Sequence, residues 1–89
     1  MIEKTVTIIN SAGLHARAAS KLASLTATFS SKIEIGHNGK MVDGKSILSL
    51  MMLAATQGTE LRIVVNGNDE ELAMSAISAM INNKFGEDS

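Results

Sequence analysis

The feature that most constrains this chain is that its apolar spacing switches repeatedly between a period of two and a period of three to four within 89 residues. From Glu3 to Ile9, Lys4, Val6 and Ile8 alternate with Thr5, Thr7 and Ile9, and the β-branched content selects a strand. After the turn cluster Asn10-Ser11-Ala12-Gly13, Ala19, Leu22, Leu25 or Thr26, and Phe29 recur at helical spacing. A first helix therefore begins beside His15, with Ser20, Lys21 and Ser24 on its wet face. Ile33 and Ile35 alternate with Lys32 and Glu34, Asn38-Gly39 makes a tight hairpin turn, and Lys40 to Asp43 returns as the third strand. A second helix is expected from Ile47 to about Thr56, capped by Ser46 and ended by Gln57-Gly58. Leu61, Ile63 and Val65 mark a fourth strand that ends at Asn66-Gly67. Asp69, Glu70 and Glu71 then favour a helix start, followed by a stripe of Leu72, Ala76, Ile77, Met80 and Ile81 expected to be buried. The order βαββαβα implies an α+β domain over residues 1–89, with three helices on one face of a four-stranded antiparallel sheet.

Composition removes several function classes. Hydrophobic residues at 45 % and charged residues at 19 % suit a folded chain rather than a disordered one. No cysteine is present, so there is neither a disulfide framework nor a thiolate metal site, and a reducing cytoplasm is compatible. A net charge of −1 and only two aromatics, Phe29 and Phe85, argue against nucleic-acid binding. The opening residues run straight into a strand pattern with no signal-peptide character, and the apolar stretch from Ile47 to Ala55 is too short to span a bilayer. A cytoplasmic protein without a membrane partner is the expectation.

Two histidines narrow the search for chemistry. His37 sits beside Asn38-Gly39 and reads as a solvated turn residue with no role. No His-Glu-x-x-His or comparable ligand spacing occurs, and neither a metal nor a cofactor is expected. His15 stands between a turn and a helix, with Arg17 two residues on and unpaired backbone N–H groups just ahead of it. A phosphoryl group on the imidazole would meet the positive end of the helix and a guanidinium. A histidine that merely caps the helix fits the same position, and spacing does not separate the two.

The run Gly13-Leu14-His15-Ala16-Arg17 resembles the active-site motif of the HPr family, histidine phosphocarriers of the bacterial phosphoenolpyruvate-dependent phosphotransferase system. Val42-Asp43-Gly44-Lys45-Ser46-Ile47 is similar to the family's regulatory-serine segment, Gln57-Gly58-Thr59 to its link into the last strand, and the element order to its open-faced sandwich. The resemblance implies that His15 takes phosphate on Nδ1 from an Enzyme I-type phosphohistidine and passes it to an Enzyme IIA-type acceptor. Arg17 and the backbone of Ala16, Arg17 and Ala18 would hold the phosphate. It also implies a regulatory phosphorylation of Ser46 by an HPr kinase/phosphorylase, beside its reading as a plain cap. Ile47, Leu48 and Met51 would form the docking patch for Enzyme I, or fill the core instead.

One departure is Ala18, where many members, notably of the sugar branch, have proline. Alanine restores an N–H and gives up a fixed φ, which bears on phosphohistidine lifetime. Ala18, Met51-Met52-Leu53-Ala54-Ala55 and Ile81-Asn82-Asn83-Lys84-Phe85 look more like the nitrogen-related branch, NPr, than the sugar-transport branch. The alternatives are a sugar-transport HPr and a non-catalytic regulatory module with the same fold; a ferredoxin-like ligand- or RNA-binding domain ranks last, since strand four lacks a basic or aromatic face. A monomer is the default for a small carrier.

Overall fold

A computed structural model describes residues 1–89. Its elements are β1 (Ile2–Thr7), α1 (Ala16–Thr26), β2 (Lys32–His37), β3 (Lys40–Asp43), α2 (Ile47–Met52), β4 (Glu60–Asn66) and α3 (Glu70–Asn82), followed by a 3-10 turn at Lys84–Gly86. The expected order holds. The four strands form one antiparallel sheet in the spatial order β1-β4-β2-β3, so β4 occupies an interior position between β1 and β2. Val6 lies opposite Leu61, and Ile33 and Ile35 lie opposite Val65 and Ile63. With a side-chain period of two, these residues share one face.

The helices bury that face. α3 packs on β1 and β4, and α2 packs on β3 and α1. Leu22, Ile35, Leu50, Leu61, Ile63, Ile77 and Ile81 are fully buried among them. The other face presents Glu3, Thr5, Glu34 and Arg62, with Arg62 hydrogen-bonded to Glu3.

Four boundaries or faces differ from expectation. β1 ends at Thr7, not Ile9, because its partner β4 begins only at Glu60, and the preceding residues turn, with Thr59 N donating to Thr56 O (3.0 Å). α2 stops at Met52 rather than near Thr56. Leu53 and Ala54 donate to Leu50 and Met51, three residues back, and Ala54 takes φ 52°, which a helix cannot continue. Gly58 therefore belongs to the turn before β4 and does not end the helix. On α3, Leu72 is 71 % exposed, and the buried stripe is Ala73, Met74, Ile77, Ser78 and Ile81. Docking at Ala73 and Ile77, one turn apart, places Leu72 beyond the contact arc. Phe29 lies past the end of α1 and is half-buried.

Candidate functional site

The site begins with a turn that cannot be built from larger residues. Gly13 has φ +69°, and a Cβ there would lie 2.5 Å from the carbonyl oxygen of Ala55. The same carbonyl accepts from Leu14 N at 2.9 Å, so the segment after α2 is bonded to the loop before α1. Asn10 closes the turn from within: Gly13 N donates to Asn10 O (3.2 Å), and Asn10 Nδ2 donates to Gly13 O (2.8 Å). Leu14, buried at 4 % exposure, pins the entry to the helix in the core.

His15 is the N-cap residue of α1 by backbone geometry, with φ −77° and ψ 179°, yet its side chain caps nothing. The plain-cap reading is thereby set aside. The first intrahelical bond is Ala19 N to His15 O at 2.8 Å, so the N–H groups of Ala16, Arg17 and Ala18 have no helical acceptor. No acidic residue occupies the first turn. The positive end of the helix is thus uncompensated within its own element, the condition under which an anion binds. Arg17 is exposed and takes part in none of the ion pairs.

The imidazole of His15, 33 % exposed, is held through Nε2 by Glu87 Oε2. The other carboxylate oxygen, Oε1, accepts from Asn10 Nδ2 at 3.0 Å. Hydrogen bonding to His15 first, and then to Asn10, holds the Glu87 carboxyl below its usual range. An ionised carboxylate only accepts, so Nε2 is the donor and carries the ring hydrogen. In the neutral ring the lone pair then resides on Nδ1, which has no hydrogen-bond partner.

The remaining expected residues fall into three groups. Ser46 caps α2 as expected, its hydroxyl accepting from Ser49 N at 3.2 Å. Ile47, Leu48 and Met51 are 44 %, 68 % and 42 % exposed, whereas Leu50 and Leu53 supply the core contacts of this segment. The three form a surface patch with Met52, which is 61 % exposed. His37 is corrected: it ends β2, is half-buried, and its Nε2 is bonded to Leu53 O at 3.0 Å. It ties the sheet to the residue after α2 and is not a free turn side chain. Glu87 and Asn10 are site residues that the sequence reading missed. The available signal was Phe85-Gly86 after α3, a large apolar residue next to a glycine, which together fold the chain back onto the core.

Residues 2–83 match the family model described as PTS HPr component phosphorylation site. The phosphocarrier protein HPr of Cupriavidus necator is 47 % identical over 87 residues, covering 98 % of both chains. That of Pseudomonas aeruginosa is 45 % identical over 83 residues, covering 92 % of both. Among solved structures, HPr-C-His from Thermoanaerobacter tengcongensis superposes with a TM-score of 0.96 at 39 % identity and full coverage of both chains. An HPr dimer from the same organism has a TM-score of 0.78 at 40 % identity, covering 98 % of this chain and 100 % of that one. No helix here is long and apolar enough to cross a membrane.

Proposed function

This chain belongs to the HPr family of phosphocarriers of the phosphotransferase system, and from that premise we propose that His15 is the residue that carries the phosphoryl group. The supporting observation is the division of its ring: Nε2 is occupied by Glu87, while Nδ1 is unpartnered, on a residue directly preceding three N–H groups without helical acceptors. Nδ1 accepts the group from the phosphohistidine of an Enzyme I-type protein and yields it to an Enzyme IIA-type acceptor. The N–H groups of Ala16, Arg17 and Ala18 and the guanidinium of Arg17 bind the phosphate oxygens. Transfer between two imidazoles asks for position and charge stabilisation, which these groups provide without a cofactor. The protein is a cytoplasmic relay, acting as a monomer, and not a complete enzyme.

Within the family we assign it to the nitrogen-related branch. Ala18 in place of proline, the Met51 to Ala55 run and the segment Ile81 to Phe85 support this; the named relatives carry the plain HPr name. The exposed Ile47, Leu48 and Met51 are the docking patch for the donor. Ser46 is a second phosphorylation site for an HPr kinase/phosphorylase, compatible with its place at a helix start.

Intact-mass analysis after incubation with phosphoenolpyruvate and an Enzyme I-type protein tests the assignment. One acid-labile phosphoryl group on the wild type and none on His15→Ala is expected. An equal mass gain on both proteins would move the modification elsewhere. Running both sugar-type and nitrogen-type donors separates the branches by rate.

A further inference from the structure

The segment after α3 is folded back over the start of α1 at some conformational cost. Lys84, Phe85 and Gly86 take φ of 57°, 55° and 81° in succession. For the two residues with side chains this left-handed region is unfavourable, and it persists only where surrounding contacts hold it. Those contacts are present. Phe85 is buried, Lys21 Nζ donates to Phe85 O at 2.9 Å, Asn10 Nδ2 donates to Glu87, and Ser11 N donates to Ser89 O at 3.0 Å. The hook delivers one reactive side chain to the site, the carboxylate of Glu87 against His15.

We infer that Glu87 is a positioning residue for His15: its carboxylate keeps the ring hydrogen on Nε2, leaves the Nδ1 lone pair as nucleophile, and balances the charge the ring gains on phosphorylation. The inference rests on the relay reading above. In the step it describes, the Nδ1 lone pair forms the new bond to phosphorus. The bond from phosphorus to the donor's imidazole nitrogen breaks, and its electron pair stays on that nitrogen. The His15 ring keeps its hydrogen on Nε2 and becomes cationic beside the carboxylate. On transfer to the acceptor the N–P electron pair returns to Nδ1 and the ring is neutral again. A carboxylate behind a reacting or ligating imidazole does the same in other sites, fixing the tautomer and stabilising the imidazolium. Asn10, bonded to the second oxygen, fixes the carboxylate in turn.

The test uses the full chain with Glu87→Ala and Glu87→Gln, and Asp88→Asn as a control for charge on the same segment. Glu87→Gln retains side-chain size, so a loss in both variants is not explained by loosening of the segment. Two measurements are made: the phosphorylation rate at saturating Enzyme I-type donor, separated from the KM for that donor, and proton NMR of protein labelled with 15N-histidine. The wild type should show a hydrogen-bonded N–H on the His15 Nε2 that Glu87→Ala lacks. The saturated rate should fall about tenfold or more in both Glu87 variants, as when the carboxylate behind a ligating imidazole is removed. The KM should not change, and Asp88→Asn should match the wild type. Wild-type rates in both Glu87 variants, or an equal loss in Asp88→Asn, would overturn the inference while leaving the relay reading intact. A wild type that accepts no phosphoryl group would overturn the relay reading itself.

Discussion

The segments flanking α1 are each tied by a carboxylate, one just before α3 and one in the turn-back after it, and the two ties do different things. Beyond the C-terminal end, Asp69 accepts from Ser30 N (2.8 Å) and Ser31 N (3.0 Å) and from the hydroxyls of both serines. The partners are loop groups with no further chemistry, and the end is closed. Before the N-terminal end, Glu87 binds Asn10 and the ring of His15, and the N–H groups of Ala16, Arg17 and Ala18 that follow have no helical acceptor. Anchoring a loop and holding the ring proposed to carry phosphate thus use one device, and the difference lies in whether the anchored group keeps a lone pair without a partner. The hydrogen bond from Ser31, followed by the others, lowers the Asp69 carboxyl to about 2. That shift belongs to structure, whereas the one at Glu87 belongs to the site.

Three experiments would break or sharpen that contrast. The largest effect is expected from Arg17→Ala, which removes the exposed guanidinium two residues after His15. Phosphoryl transfer should slow about a hundredfold in stopped reactions with an Enzyme I-type donor, while the thermal midpoint stays where it is. A shifted midpoint with an unchanged rate would make Arg17 a structural residue.

Asp69→Ala should do the reverse, lowering the unfolding midpoint by several degrees and leaving transfer untouched. Its pH dependence has a defined sign. The folded value, about 2, lies below the ordinary 3.8, so the stabilisation is present above about pH 4 and is lost as pH falls through about 2. Melts of wild type and variant should therefore differ at pH 6 and converge near pH 2; parallel curves across that range would show that the serine bonds do not carry the effect.

The smallest effect is expected from Ala18→Pro. The Ala18 N–H has no helical acceptor, so proline breaks no helical hydrogen bond and removes one unpaired donor from the first turn of α1. A rate change of about threefold fits one weak hydrogen bond of roughly 0.5–1 kcal/mol. A change as large as that of Arg17→Ala would make this N–H a principal phosphate ligand.

The contrast also marks what the sequence could reveal. The hairpin at Asn38-Gly39 and the strand Lys40 to Asp43 were readable because a turn pair and a two-residue period are local signals. Ser46 as a cap and the helix start beside His15 were readable for the same reason. The end of α2 is not legible because Ala54 adopts a left-handed conformation that its residue type does not announce. The exposure of Leu72 is not legible because periodicity gives the width of an apolar stripe and not the angle at which it docks. The bonding of His37 is not legible because its carbonyl partner at Leu53 is supplied by a distant segment. At the site, the Gly-Leu-His-Ala-Arg motif lies in consecutive positions, while Glu87 lies 72 residues from His15, and only the folded-back turn at Lys84–Gly86 brings them together.

The interior place of β4 has a consequence for how the molecule is made. Strands β1 and β2 never pair with each other; both wait for residues 60–66. During synthesis, the first fifty-odd residues can form the β2-β3 hairpin and a nascent α1 but no sheet, so most long-range contacts arrive late. Assembly should then be abrupt once β4 has been made, and a ribosome stalled before β4 should present a protease-sensitive chain in which the histidine loop has no scaffold.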